Sequence, residues 1–430
     1  MDRHDPHQAT AREEARVTSL TGEMSESLLP NGIRVLSEQI PGIRSVSVGV
    51  WVRQGAAHES REVMGASHLL EHMVFKGTAK RSAREIALAL ESLGGSLDAY
   101  TSREHTSFQA RVLDEHFPLA LDVLGDLTLS PRLLEEDLAL EREVVLEEIA
   151  TVEDTPDDLV FDLHGELLWG EHPYGNTILG TRETVEGMSA ATLREIHTTR
   201  YTGENLLVAA AGHLEHERVV EGVEQLFGGV EPGEPVPELG IPEAHSTGAH
   251  HQERASAQTH LVMGGGVPGH SDARRYPLAI ISSALGGGMS SRLFQRVREE
   301  LALAYSVFAF QSFYSRAGIS GVYVGTRPAT ARRAVEAVRE ELARVARDGI
   351  PLEELEQTKQ QLKGQIMLSL ESTGSRLFRL ASFALHREPF LTLDEVLRKL
   401  DAVTSQEVSE AAGEFFDPDR LLLLSLGPLS

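Results

Sequence analysis

The sequence predicts an α+β protein of two homologous domains, each a mostly antiparallel sheet with helices packed on one face. Three observations carry that expectation. A design is written twice at a spacing of 215 residues, each half runs from strand-like segments into helix-like ones, and a proline-rich stretch separates the halves.

The repeat is plainest at the ends of the halves. Tyr201-Thr-Gly-Glu-Asn-Leu-Leu-Val-Ala-Ala-Ala-Gly-His-Leu214 has its counterpart in Phe416-Asp-Pro-Asp-Arg-Leu-Leu-Leu-Leu-Ser-Leu-Gly-Pro-Leu429. At the same spacing Val46 to Val52 falls on Leu261 to Val267, and Phe108 falls on Tyr323. Leu134-Glu-Glu, a helix start, resembles Leu352-Glu-Glu at a spacing of 218. Between Gly228 and Gln258 lie Pro232, Pro235, Pro237 and Pro242 with no helical or strand period, the composition of a linker. The division expected is a flexible tail over 1–25, a first domain over 26–228, a linker over 229–257 and a second domain over 258–430. His245, His250 and His251 fall in the linker, where solvated histidines are the plainer reading than metal ligands.

Within the first half, Asn31-Gly32 between Leu29 and Ile33 is a hairpin turn, because both residue types tolerate positive φ. Ile33 to Glu38 and Arg44 to Val52 read as neighbouring strands. A helix follows over His68 to Phe75. Ser82 to Leu93 spaces Ile86, Leu90 and Leu93 as a helix does, and Gly94-Gly95 ends it. Ser96 to Tyr100 and Thr106 to Val112 are strand-like. Helices then return, one with Ser130 as cap and Pro131 in its first turn, extending to Ile149.

Composition removes several function classes. The chain has 430 residues, no cysteine and a formal charge of −25. Thiolate chemistry and disulfides are excluded, so a metal site must use histidine and carboxylate. The acidic charge opposes a nucleic-acid partner, which needs a basic face, and favours cationic ligands or simple solubility. No apolar run approaches a membrane span, and the polar stretch from Met1 to Ser25 does not read as a secretory or organellar leader. The expectation is a cytoplasmic protein.

His68-Leu-Leu-Glu71-His72 places two imidazoles one helical turn apart on one face, the spacing that grips a single zinc ion. Glu71 lies beside them, placed to meet water without being a ligand. Leu69, Leu70, Met73, Val74 and Phe75 mark a buried helix, and polar groups on a buried helix need partners. A carboxylate from elsewhere should complete the site. Glu141-Arg-Glu-Val-Val-Leu-Glu-Glu148 sets Glu141 and Glu148 seven apart, on one helical face, although a glutamate-rich helix is by itself more simply a solvated face.

Together these segments resemble the inverzincin or pitrilysin-type (M16) metallopeptidases, especially their mitochondrial-processing-peptidase-like branch. The resemblance runs from about Pro30 to Leu429 and includes Gly94-Gly-Ser-Leu-Asp-Ala-Tyr-Thr101, His172-Pro-Tyr-Gly175 and Gly286-Gly-Gly-Met-Ser-Ser-Arg-Leu-Phe294. It implies that His68, His72 and Glu148 hold Zn2+, that Glu71 is the general base, and that Glu141 supports catalysis beside the site. It also implies that the Gly94 segment leads an edge strand to which an extended substrate adds, as unpaired edges do. The second half carries Ser283 where the first has His68, and is expected to be zinc-free. Arg298 and Tyr305 match the family pair that reaches a facing zinc site; read alone, they are a surface ion pair with Glu299 or Glu300 and a core aromatic. The Gly286 loop lacks the Lys and Ser/Thr of a phosphate loop and is either a plain turn or a substrate contact. Phe75 and Phe108 read as core packing before side-chain pocket.

The function implied is zinc-dependent endopeptidase activity on extended, unfolded peptides inside a closed chamber. The partners implied are the peptide and a second copy of the chain, in a homodimer with sites shared between subunits. The alternatives are a non-catalytic scaffold or substrate-binding subunit of such a peptidase, and a metal-binding protein without hydrolytic activity.

Overall fold

The computed structural model describes residues 12–19 and 22–429. In chain order the first half contributes strands β1 (Arg12–Ser19), β2 (Gly22–Leu28), β3 (Arg34–Gln39) and β4 (Ser45–Val52), then helices α1 (Ala66–Val74) and α2 (Ala83–Glu91). Strands β5 (Ser96–Thr101) and β6 (Thr106–Leu113) follow, then helices α3 (Phe117–Leu129), α4 (Glu135–Glu153), α5 (Pro156–Trp169), α6 (Arg182–Gly187) and α7 (Ala190–Arg200), strand β7 (Leu206–Gly212) and helix α8 (His216–Phe227). The second half contributes β8 (Gly248–Gln252), β9 (Thr259–Val267), α9 (Arg275–Gly286), a π-helical stretch Phe294–Glu300, β10 (Ala304–Phe313) and β11 (Gly318–Thr326). It closes with α10 (Ala331–Asp348), α11 (Leu352–Ser369), α12 (Thr373–Leu385), α13 (Leu393–Ala402), α14 (Ser405–Phe415) and β12 (Leu422–Leu426).

Local signals formed the elements they promised. Ser82 caps α2 by accepting from the Glu85 N–H, while the Glu85 carboxylate accepts from the Ser82 N–H, and Gly94 takes φ +74° beyond the helix. At the β2–β3 hairpin, Gly32 has φ +91° and Asn31 donates its amide to the carbonyls of Phe227 and Val230 at 2.9 and 3.1 Å. That turn is therefore pinned to the end of α8.

The sheets show that the repeat is structural. The first is ordered β1-β2-β3-β7-β4-β6-β5 and the second β10-β11-β9-β12-β8. Read from its other end, the second sheet matches β3-β7-β4-β6-β5 strand for strand. In each, one parallel pair (β3 with β7, β8 with β12) is followed by antiparallel pairs.

Contacts divide the chain into two compact units. The first runs up to Leu146 and adds Ile178–Glu238 and Ser369–Asp394; the second comprises Glu147–Thr177, Leu239–Leu368 and Glu395–Ser430. Each half thus lends a helix to the other half's sheet. In the first unit α12 lays Leu377, Leu380, Ala381 and Ala384 against Leu36, Trp51, Leu207 and Ala209. Polar anchors fix it further: Arg376 pairs with buried Glu38 at 2.6 Å, and Arg34 and Arg53 both donate to the Ala384 carbonyl at its C-terminal end. In the second unit α5 brings Leu159, Val160, Phe161 and Leu163 to Val262, Tyr323 and Leu424.

Five readings of the sequence are revised. Strands β3 and β4 are not neighbours, because β7 lies between them, parallel to one and antiparallel to the other. Helices cover both faces of the first sheet: Leu36 faces α12 while the adjacent Ser37 meets His216 of α8 at 2.8 Å. Ser130 ends α3 instead of opening a helix, Pro131 bridges to Thr78, and Leu133 at φ +46° delays α4 to Glu135. Strand β1 and the first residues of β2 fall within the stretch 1–25 read as a tail, of which residues 1–11, 20 and 21 lie outside the described ones. The stretch read as linker includes β8, whose strand conformation is supplied by pairing with β12 and not by its own His-rich sequence.

Candidate metal centre and catalytic residues

Helix α1 opens at Gly65, which has φ +88° and whose missing Cβ leaves room for the Leu179 carbonyl, 2.4 Å from where that atom would lie. Its first turn is held from outside by Glu59. That carboxylate accepts from the N–H of Gly65 at 2.7 Å and of Ser67 at 2.6 Å, filling the donors a helix start leaves open. Burial pushes the Glu59 carboxyl up to about 7, against the pull of these hydrogen bonds. Gln54 also donates to the Ser67 hydroxyl. The rotation of α1, and with it the direction of His68, is set here.

On this helix the rings of His68 and His72 lie 4.7 Å apart. Burial, then the neighbouring His72, pushes His68 down to about 4, so its imidazole is neutral at physiological pH, the form that donates a lone pair to a metal. The Nδ1 of His72 lies 3.1 Å from Glu141, which is buried and also pairs with Lys76. A carboxylate on one imidazole nitrogen orients the ring and frees the other nitrogen for a ligand bond. Helix α4 carries Glu148 two turns beyond Glu141 on the same face. One donor atom each from His68, His72 and Glu148 lies within 4.8 Å of the others, and among the described residues no other such cluster of three occurs. Two imidazoles and a carboxylate suit zinc in donor type and number, with a coordination position to spare.

Glu71 stands between the two histidines in sequence and receives a hydrogen bond from Thr101 Oγ1 at 2.6 Å. Thr101 is the last residue of β5, the terminal strand of its sheet. The edge strand therefore ends at the carboxylate. Beside Glu71 the buried Tyr201 phenol is held neutral, its pKa far above the ordinary value through burial and the Glu71 charge. Sequence reasoning missed Glu59 and Tyr201. Glu59 lies six residues before Gly65, outside the spacing of a capping box.

In the second unit Ser283, at the position equivalent to His68, is buried in α9. Arg298 and Tyr305 are together: the guanidinium lies 4.8 Å from the Tyr305 ring and 4.6 Å from that of Phe294, and 3.5 Å from Glu299. Tyr305 is 76% exposed and so is no core aromatic. A Cβ on Gly286 would fall 2.1 Å from the Ala309 nitrogen, which makes that glycine a packing requirement. Phe108 is fully buried with Phe75 against it at 6.3 Å, as core packing. His250 and His251 pair with Ser246 and Glu253 and join no metal cluster.

The chain is similar to known proteins along most of its length. The model for Insulinase (Peptidase family M16) matches residues 34–182, and that for the Peptidase M16 inactive domain matches 187–362. A Bacillus subtilis protein named as the uncharacterized zinc protease YmxG is 41% identical over 92% of this chain and 96% of its own. The chain belongs to peptidase family M16. A zinc protease of Mycobacterium leprae, also named uncharacterized, is 38% identical over 90% of this chain and 88% of its own. Two solved structures share the fold of this M16 chain at a TM-score of 0.87. A peptidase M16 inactive domain from Pseudomonas fluorescens is 20% identical over 95% of this chain and 98% of its own, and a protease from Helicobacter pylori is 21% identical over 95% and 100%. Among the described residues, no helix is long and apolar enough to cross a membrane.

Proposed function

We propose that this chain is a zinc-dependent endopeptidase acting on extended, unfolded peptides, with His68, His72 and Glu148 holding the metal and Glu71 as general base. The hydrogen bond from Thr101 to Glu71 carries the reading, because it ties the end of an open sheet edge to a carboxylate flanked by two metal-binding histidines. A peptide added to β5 as a further strand would have its backbone held beside Glu71. Zinc, when bound, supplies Lewis-acid polarisation of the scissile carbonyl and acidifies the attacking water. Glu71 takes the water proton and returns it to the leaving amine. Glu141 keeps the His72 ring oriented, and Thr101 holds the Glu71 carboxylate in place. Incubating the purified chain with unfolded peptides should give cleavage that chelator abolishes and added zinc restores. Cleavage untouched by chelator would refute the reading.

Assembly belongs to the same proposal. The metal donors come from residues 68–148 and the Arg298–Tyr305 pair from the second half, so two chains paired as a homodimer could complete each other's sites within a closed chamber. Tyr305 would then donate to the developing oxyanion and Arg298 would hold the substrate backbone. Mixing Glu71→Gln with Tyr305→Phe protein under subunit exchange should recover activity towards half of the wild type per exchanged dimer. No recovery despite demonstrated exchange would show that each site is completed within one chain.

A further inference from the structure

Strand β9 carries three consecutive glycines, Gly264, Gly265 and Gly266. Glycine weakens a strand, so such a run marks a place where something approaches the backbone closely. A Cβ on Gly266 would lie 2.8 Å from the Trp169 ring, and one on Gly265 would lie 2.9 Å from a terminal methyl of Leu421. Around this end of β9 runs a cleft of about 570 Å³ whose lining belongs wholly to the second unit. Its apolar part includes Leu168, Trp169, Val267 and Leu421, all buried, and Ile241, which is 69% exposed. None of the metal donors lines it, nor does Arg298 or Tyr305.

Five charged side chains complete the lining. Arg274 holds both acids, Asp272 at 2.8 Å and Glu414 at 3.1 Å, and lies over the Phe415 ring. Arg316 and Arg420 differ: among the described residues neither guanidinium pairs with a carboxylate. Strand register sets these two on either side of β9. Gly318 opens β11 opposite Val267, and Leu422 opens β12 opposite Gly264. Arg316 and Arg420 each stand two residues before those starts, so they flank the end of β9 from strands about 10 Å apart.

We propose that this cleft binds a small organic anion with an apolar, ring-sized body. The body lies on the glycine floor beside Trp169 and Ile241, and the acid group lies between Arg316 and Arg420. The volume is that of a small-molecule site, and guanidinium is the side-chain group that matches a carboxylate or phosphate best. A cationic ligand would find both carboxylates already held by Arg274. The site goes beyond the peptidase reading and shares no residue with it.

The probes are naphthalene-2-carboxylate, its neutral carboxamide and inorganic phosphate, titrated calorimetrically into the full chain. One site per chain should bind the carboxylate about tenfold more tightly than the carboxamide, the product of two exposed ion pairs at about threefold each. In the double variant Arg316→Gln, Arg420→Gln that ratio should fall to about one. In Ile241→Ser protein both organic probes should weaken together by about two- to fivefold, as less of the body is covered. Rising salt should weaken the carboxylate and spare the carboxamide. All three substituted residues are exposed, so the variants should fold as the wild type does. No binding of naphthalene-2-carboxylate, or an unchanged ratio in the double variant, would overturn the site. Phosphate binding as tightly as the carboxylate would overturn the need for an apolar body. None of these readouts involves turnover, so they stand whether or not the chain cleaves peptides.

Discussion

Glu71→Gln should abolish peptide hydrolysis while leaving the protein folded and zinc-loaded, with kcat lowered roughly 10²- to 10⁴-fold. The amide keeps the shape of the side chain and can still accept the Thr101 hydrogen bond, now 2.6 Å from Oε2. It cannot take a proton from water. Glu71 does not belong to the cluster of donor atoms, which is His68, His72 and Glu148, so metal content should be unaffected. The check is turnover measured beside metal analysis of the same sample. Near wild-type turnover in a loaded sample would remove Glu71 from the role of base, and lost zinc would make it a ligand.

The second large effect is on metal retention. Wild-type protein should hold about one zinc per chain, the content of a three-ligand site. His68→Ala, His72→Ala and Glu148→Ala should each release it under mild chelation. Glu141→Gln should act more gently, because Glu141 touches His72 without joining the donor cluster. Loss of such an orienting partner weakens metal affinity by about 10- to 100-fold. Competition against a chelator of known affinity ranks the four variants. Undiminished zinc in Glu148→Ala would show that the third ligand is another group, and an equal collapse in Glu141→Gln would promote Glu141 to ligand.

Much of this was readable along the chain because the signals are local. The i, i+4 spacing of His68 and His72 survives folding, since a helix keeps such residues on one face whatever it packs against. The same holds for Glu141 and Glu148 on α4. The capping box at Ser82 and the Asn31-Gly32 turn formed where their residue types required. Failures occurred where a neighbour distant in sequence decided the outcome. Ser130-Pro131 has the composition of a helix start, yet the bridge from Thr78 to Pro131 holds it extended and α4 begins later. The Gly248–Gln252 strand has no strand-forming composition and exists through its parallel pairing with β12.

By itself, then, the sequence determined the doubled design, legible because the same pattern recurs at a fixed spacing, and also the helix that aligns two imidazoles with a carboxylate and the chemistry these donors suit, which depend on residues within a few turns of one another. Tertiary structure alone decided which strand separates β3 from β4, that Glu59 anchors the start of α1, and that α12 leaves its own half to cover Trp51 and set Phe378 beside Tyr100. The physical reason is that either sheet presents an apolar face of similar shape, and apolar attraction has no direction. The amphipathic pattern of a helix says that it must be covered and not by which sheet; the polar anchors Arg376 to Glu38 and Thr373 to Ser47 show the choice only once the chain has folded.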